Sequence, residues 1–463
     1  MNTLRSYAVA HTPYRRSASV VPTQCMPVRQ RNYATGVSGH GGPTEVEKIL
    51  LDTIKATGPI SFATYMQMCL SHPTAGYYMK TSKPVIGSGG DFITSPEISQ
   101  VFGELLGIWL LSQWMYAGSG REIRLLELGP GRGTLMHDVL RVFSQFPAAR
   151  SATKEIHLVE TSPTMRAAQE AKLSFLAQTH GWTLHWHDGV DQVQHDGSKF
   201  TLALAHEFFD ALPFHLLQKT HHGWQEVLLT SERDPAAPTV LKPDATTPSL
   251  DFSSTAPPLP ANASRFRQVL SPTPTPSSTL LGLSSMRFQK LPIGSRIEVS
   301  PASFKIARRL GELLHDGEDG SQSAGSALIV DYGGDKAFKD HKIVDPFHRP
   351  GQCDLTVNVD FAYLKEATTH HGPLSQAIFL HRMGLQPRLD ALKAAAKDEE
   401  RRKQIDQAAK RLVDPTGMGT QYQIMGMTGK TEKVLTDEER WPFIEAAQPH
   451  AGSPGVGQQP STA

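Results

Sequence analysis

The stretch Ile123-Arg124-Leu125-Leu126-Glu127-Leu128-Gly129-Pro130-Gly131-Arg132-Gly133-Thr134-Leu135 constrains this chain more than any other. An apolar run leads into three glycines at alternate positions. Apolar residues at helical spacing follow (Leu135, Val139, Leu140, Phe143), so the segment spells strand, tight turn, helix. The glycines remove Cβ atoms where the backbone turns sharply and where a ligand approaches it closely. The helix beyond presents free N–H groups and the positive end of its dipole. A tight turn with no ligand is the plain alternative; a site for an adenosine cofactor is the functional one.

The spacing bears on which cofactor. Glu127-x-Gly129-x-Gly131-x-Gly133 differs from the G-x-G-x-x-G that makes room for a pyrophosphate. S-adenosylmethionine carries no phosphate; it needs acceptors for its amine and sulfonium, which an acidic residue beside the loop supplies. The next apolar run, Ile156-His157-Leu158-Val159, ends in Glu160, 27 residues beyond Gly133. A carboxylate closing a second parallel strand is placed to accept both ribose hydroxyls. Glu127, Gly129, Gly131, Gly133 and Glu160 are therefore the expected cofactor-binding set.

Strand and helix patterns alternate over residues 121–215, which predicts a parallel sheet with helices on its faces. The segment 45–120 reads as an accessory helical region, with Val46, Ile49, Leu50 and Ile54 in one apolar stripe. Within it Ser95 is the expected N-cap of a short helix with Pro96 at its first position. Residues 121–231 form the first part of the core, and 281–440 hold its remainder and the substrate region. A further core strand is expected at Ala327–Gly333, and a charged helix over 390–413. Residues 232–280 contain ten prolines among many Ser and Thr. That composition predicts a disordered surface insertion without catalytic residues, and 441–463 a disordered tail.

The first 44 residues carry five arginines and no Asp or Glu, the composition of a mitochondrial transit peptide rich in hydroxyl residues. Five of the 46 basic residues lie there, leaving 41 against 45 acidic, so nucleic-acid binding gains no electrostatic support. No apolar run is long enough for a transmembrane helix; Leu105–Leu111 reads as a buried helix. Three widely spaced cysteines form no C-x-x-C pair, which argues against zinc or a disulfide framework. No metal is expected: the His221-His222 and His370-His371 pairs lack partners at ligand spacing and read as solvent-exposed.

Ligands of open α/β sheets bind beyond the carboxyl ends of the strands. That rule singles out Ala205-His206-Glu207-Phe208-Phe209-Asp210, where two carboxylates and an imidazole follow the strand 200–205. Asp210 as an N-cap and His206 as a wall residue are the plain readings. Glu207 is the first candidate for chemistry, because a carboxylate facing a pocket is costly to bury unpaired.

Three segments together are similar to the MidA family: Glu127–Leu135, Gly90-Asp91-Phe92-Ile93-Thr94-Ser95-Pro96-Glu97 with the residues up to Glu104, and Ala205–Pro213. Further similarity lies at Ala327–Gly333 and Cys353–Phe361, and the whole spans about residues 45–430. The resemblance implies a class I (Rossmann-like, seven-strand) S-adenosylmethionine-dependent methyltransferase fold with accessory helices over the pocket. It implies a type II protein arginine methyltransferase of the mitochondrial matrix. The implied product is symmetric dimethylarginine on the 49-kDa quinone-side subunit of respiratory complex I, in support of its assembly. Glu207 would then clamp the guanidinium with Asp210 or His206 in support, and Asp91, Thr94 and Ser95 would close over the cofactor. A non-catalytic assembly chaperone that keeps the fold is the alternative.

Overall fold

The computed structural model describes residues 42–79, 93–232, 265–315, 324–332, 336–339, 342–429 and 434–444. Residues 1–41 of the segment expected to be a transit peptide, Asp91, Gly333, residues 233–264 of the expected insertion and residues beyond 444 lie outside the described residues.

Seven strands make the central sheet: β1 (Glu122–Leu128), β2 (Thr153–Val159), β3 (Thr183–His187), β4 (Lys199–His206), β5 (Gly325–Tyr332), β6 (His370–Ser375) and β7 (Tyr422–Thr428). Their order is β6-β7-β5-β4-β1-β2-β3. Strands β1 to β5 run parallel, and β7 lies antiparallel between β5 and β6. Near-continuous apolar runs suit strands covered on both faces. Along β1 the alternation is visible: Ile123 and Leu125 belong to one core, Leu126 and Leu128 to the other.

The first core is filled by α4 (Gln100–Tyr116) and α5 (Thr134–Gln145), which follow α1 (Glu45–Thr57), α2 (Phe62–Ser71) and the short α3 (Ser95–Ile98). Helix α4 is apolar on nearly every side and is buried along most of its length, as the run Leu105–Leu111 predicts. Gly103 lets it approach α5, since a Cβ there would stand 2.6 Å from that of Asp138. After α6 (Pro163–His180), helix α7 (Pro301–Leu313) packs Ala307, Leu310 and Leu313 into the second core. A smaller antiparallel sheet of five strands, among them His215–Thr220 and Gly223–Ser231, packs on α1 and α2 through Leu229, Phe266, Val46 and Leu50.

Several sequence expectations need correction. The Pro-rich span 232–280 is not uniform: Phe266–Leu270 is a strand paired with Gly223–Ser231, with Phe266 and Val269 buried. Thr275 and Ser278 then form a capping box around Pro276 at the start of a helix. Two buried apolar residues in a ladder outweigh the surrounding composition. The charged helix expected over 390–413 is two helices, Leu385–Ala394 and Glu399–Val413, divided where Asp398 accepts the Arg401 N–H as an N-cap. Helix α3 begins one residue early: Thr94 is its N-cap and Ser95 its first residue. His370 and His371 are half-buried in β6 rather than exposed, because β6 packs its length along β7. Among the described residues no helix is long and apolar enough to cross a membrane.

Candidate active site

A cavity of about 500 Å³ opens at the carboxyl ends of β1, β2, β3 and β4. Its floor is the glycine loop between β1 and α5, where Gly129, Gly131 and Gly133 take φ values of 63°, 51° and 77°. Only glycine holds this left-handed backbone without strain, and three such residues in five fold the loop flat over the sheet edge. Space is tight as well, for a Cβ on Gly129 would stand 2.8 Å from the Phe208 ring. The accessory region roofs the cavity with Leu70, Tyr78, Met79, Thr94 and Glu97. Glu97 ties this roof to the loop by accepting the Thr134 hydroxyl at 2.6 Å.

Of the residues expected to bind the cofactor, Glu127, Gly129, Gly131, Glu160 and Thr94 line this cavity. Gly133 sits behind it as the N-cap of α5. Ser95 does not face the cavity: it is fully buried and its hydroxyl donates to Gln376 Oε1 at 3.2 Å. A side chain at the first turn of α3 points into the protein while its neighbours Thr94 and Pro96 reach the cavity wall.

The donor set fits S-adenosylmethionine. Glu127 Oε2 is buried and has no hydrogen-bond partner, and burial pushes its carboxyl up to about 8. An orphaned acceptor of this kind suits a cationic ligand that restores its charge. Glu160 is oriented by the Ser162 N–H at 2.8 Å and the Gln169 side chain at 3.3 Å, while burial raises its carboxyl above the usual range. Gln169 also donates to the Gly131 carbonyl at 2.7 Å and accepts from the Trp186 indole at 2.9 Å. One amide therefore locks the glycine loop to Glu160. Asp188, just past β3, lines the same cavity and pairs with Arg166 at 2.5 Å. Sequence reading missed Gln169 and Asp188. Nothing marks one glutamine of a polar helix, whereas Asp188 follows the strand-end rule once the polar-looking β3 is recognised as a strand.

His206 and Glu207 also reach the cavity, at the end of β4. Glu207 takes a left-handed φ of 49°, rare for a residue with a side chain. Asp331, at the end of β5, holds that turn: its Oδ2 accepts from the N–H groups of Phe208, Phe209 and Asp210 at 3.2, 2.9 and 3.3 Å. Its Oδ1 accepts from the Tyr332 N–H at 2.9 Å. The Glu207 carboxylate accepts the Tyr422 hydroxyl at 2.7 Å. Burial pushes Glu207 up to about 8, against the pull of that hydrogen bond, and depresses His206 to about 3. His206 is thus a neutral wall against Phe102 and Tyr422, its Nε2 without a partner.

Asp210 does not line the cavity. It is buried beneath the turn, where Asp331 and Asp354 face it, and burial raises its carboxyl strongly. Burial raises Asp331 as well, to about 7, but four N–H donors pull it back toward the charged form, so Asp210 is the member of this pair that holds its proton more tightly. Asp354 accepts the Tyr78 hydroxyl at 2.7 Å. Four carboxyl groups and three tyrosines (Tyr78, Tyr332, Tyr422) thus collect behind one end of the cavity, with Glu207 and Tyr78 reaching its wall, an environment suited to a planar cation with several N–H donors. Among the described residues no group of His, Cys, Asp and Glu has the arrangement of a metal site.

These carboxyls give the ligand-free chain a pH signature. Glu127 and Glu207 keep protons in the fold that they lose in the unfolded chain, so they favour the fold at low pH and cease to do so as pH rises toward about 8. His157, His206 and His371, depressed to about 4, 3 and 4, act oppositely, but only below the ordinary histidine value of 6.5. Between pH 6.5 and 8 the carboxyls act unopposed. Denaturant unfolding should show stability falling over that window, by at most about 1.4 kcal/mol per pH unit for each carboxyl. Glu127→Gln should flatten the slope. A flat profile in the unaltered chain would contradict the burial of the Glu127 carboxyl.

A five-strand parallel run, a final antiparallel strand inserted beside it and a glycine loop after β1 together define the class I methyltransferase architecture. Comparison with known proteins agrees. A family model described as "Putative S-adenosyl-L-methionine-dependent methyltransferase" matches residues 105–379. The mitochondrial protein arginine methyltransferase NDUFAF7 of Danio rerio is 37% identical over 407 residues, covering 82% of this chain and 86% of that protein. Its Drosophila melanogaster homolog is 38% identical, covering 84% and 85%, and the Homo sapiens protein is 33% identical, covering 83% of each. A crystal structure from Burkholderia thailandensis, bound to S-adenosylhomocysteine, shares the fold with a TM-score of 0.63 and 20% identity, over 86% of this chain and 95% of that one. The chain belongs to this family of S-adenosylmethionine-dependent methyltransferases, the MidA family that its motifs resemble.

Proposed function

We propose that the chain is a protein arginine methyltransferase that forms symmetric dimethylarginine on the 49-kDa quinone-side subunit of complex I, in the mitochondrial matrix, and so supports assembly of that complex. The observation that carries the arginine reading is the largely buried Glu207 carboxyl at the cavity wall, held from behind by the Tyr422 hydroxyl. The names of the relatives support arginine as the substrate and the mitochondrion as the site of action. The MidA resemblance supports the symmetric product and the complex I subunit, and the basic, acid-free leader supports import.

Glu127, Gly129, Gly131 and Glu160 would hold the cofactor. S-adenosylmethionine, when bound, supplies an electrophilic methyl on its sulfonium and leaves as S-adenosylhomocysteine. The chain's task is the nucleophile. A guanidinium is protonated at pH 7 and its nitrogen lone pairs are delocalised. Glu207 Oε1 is held by Tyr422, so Oε2 is left to accept a guanidinium N–H. That contact orients the target nitrogen, draws positive charge toward the far nitrogens and accepts the proton released on transfer. Guanidinium binding in turn favours the ionised form of Glu207, so capture and proton loss are coupled.

The test is incubation of the chain with methyl-labelled S-adenosylmethionine and unmodified 49-kDa subunit, with product mapping by mass spectrometry. Symmetric dimethylarginine is the expected product. Cofactor binding without transfer to folded subunit would overturn the enzymatic reading in favour of an assembly chaperone, and an asymmetric product would overturn the type II assignment alone.

A further inference from the structure

Tyr422 opens β7, and the direction of that strand gives it a place no parallel strand offers. A parallel strand brings its last residues to the edge of the sheet where ligands bind. Because β7 runs the other way, it brings its first: Tyr422 pairs in register with Tyr332, the last residue of β5. The Tyr422 ring lies 4.8 Å from that of Tyr332 and stacks on His206 at 6.4 Å. It is buried behind the cavity wall, and its hydroxyl donates to Glu207 Oε1 at 2.7 Å.

The backbone beneath Glu207 is fixed by Asp331, but a glutamate side chain keeps three rotatable bonds beyond it. His206 Nε2, at 3.7 Å, is too far to fix it by a hydrogen bond. The other titratable groups facing Glu207 are the carboxyls of Asp331 and Asp354, which disfavour its charge, the Asp210 carboxyl, which burial keeps protonated, and the Tyr332 phenol. Tyr422 alone of these is seen to donate to it.

We propose that Tyr422 is a positioning residue of the methyl-transfer site, holding one carboxylate oxygen of Glu207 so that the other is presented to the substrate guanidinium. This rests on the arginine reading above. The hydroxyl acts through Glu207 and touches neither substrate nor cofactor. A hydrogen bond from a phenol to a carboxylate also favours its ionised form, so the same contact lowers the pH at which Glu207 becomes competent, against the upward push of burial.

Tyr422→Phe keeps the ring contacts and removes only the donor. The acid limb of kcat/KM for an arginine substrate should move up by about one pH unit, with about a tenfold loss well below the limb and unchanged S-adenosylhomocysteine affinity. Replacing Tyr422 by 3-fluorotyrosine, a stronger donor, should move the limb down, which keeps the test decisive if the phenylalanine variant folds poorly. The titration of Glu207 followed by carbon-13 NMR, with Glu207→Gln to identify its signal, should shift in the same two directions without any turnover. Shifted titrations in a chain that methylates no arginine would overturn the arginine reading and leave the Tyr422–Glu207 contact standing. An unmoved limb and an unmoved titration in an active enzyme would overturn the positioning role.

Discussion

Glu207→Ala is expected to lower arginine methyl transfer by at least ~100-fold, equivalent to about 2.7 kcal/mol of transition-state stabilisation, while leaving S-adenosylhomocysteine affinity within a few-fold. The reason lies in how much of the fold serves this one side chain. Strand β4 delivers it to the cavity, the Glu207 N–H continues the ladder to the Val330 carbonyl at 2.9 Å, and three amides after it close on Asp331. A left-handed residue bearing a buried carboxylate persists only where its surroundings over-determine it, and such strain is typical of reacting groups. Stability should change little. The truncation leaves the Tyr422 hydroxyl unpaired, but it also removes a carboxyl whose burial is itself unfavourable. Steady-state kinetics beside calorimetric binding separates the cases. Equal loss of cofactor affinity and turnover would reassign Glu207 to the cofactor.

Gly131→Val is expected to weaken cofactor binding by at least ~100-fold. Valine at a φ of 51° costs on the order of 1–3 kcal/mol in backbone strain, and its branched side chain would enter the cavity whose floor Gly131 forms. The loop has little room to relax, because the Gly131 carbonyl is held by Gln169 and its neighbour Gly129 abuts Phe208. A second route to the same loss is displacement of Gln169, which also orients Glu160. Isothermal titration with S-adenosylhomocysteine on a folded variant tests this, and Gly131→Ala should lie between. Unchanged affinity would remove Gly131 from the cradle.

The parts of this protein legible in sequence are those where one short segment carries both fold and site. Leu125 to Gly133 announced a strand, its turn and a cofactor loop, because burial on both faces and left-handed backbone each demand a narrow set of residues. The rule that ligands sit at strand ends also pointed to His206 and Glu207, which the structure brings to the cavity wall. Contacts between distant segments were not legible. Tyr422 lies 215 residues from Glu207, and only the reversed direction of β7 brings them together. Ser95 shows the converse: its segment forms the cavity wall, yet helical geometry turns its own hydroxyl toward Gln376. Phe266 and Val269 were masked by the prolines around them, because a five-residue ladder strand leaves little compositional trace.

The most direct measurement is a crystal structure of the chain with S-adenosylhomocysteine and a short arginine peptide. The ribose hydroxyls should lie on Glu160, the amine near Glu127, and the guanidinium on Glu207 within hydrogen-bonding distance, with the Tyr422 contact intact. Adenosine bound away from the glycine loop, or a guanidinium held by a different carboxylate, would contradict this placement.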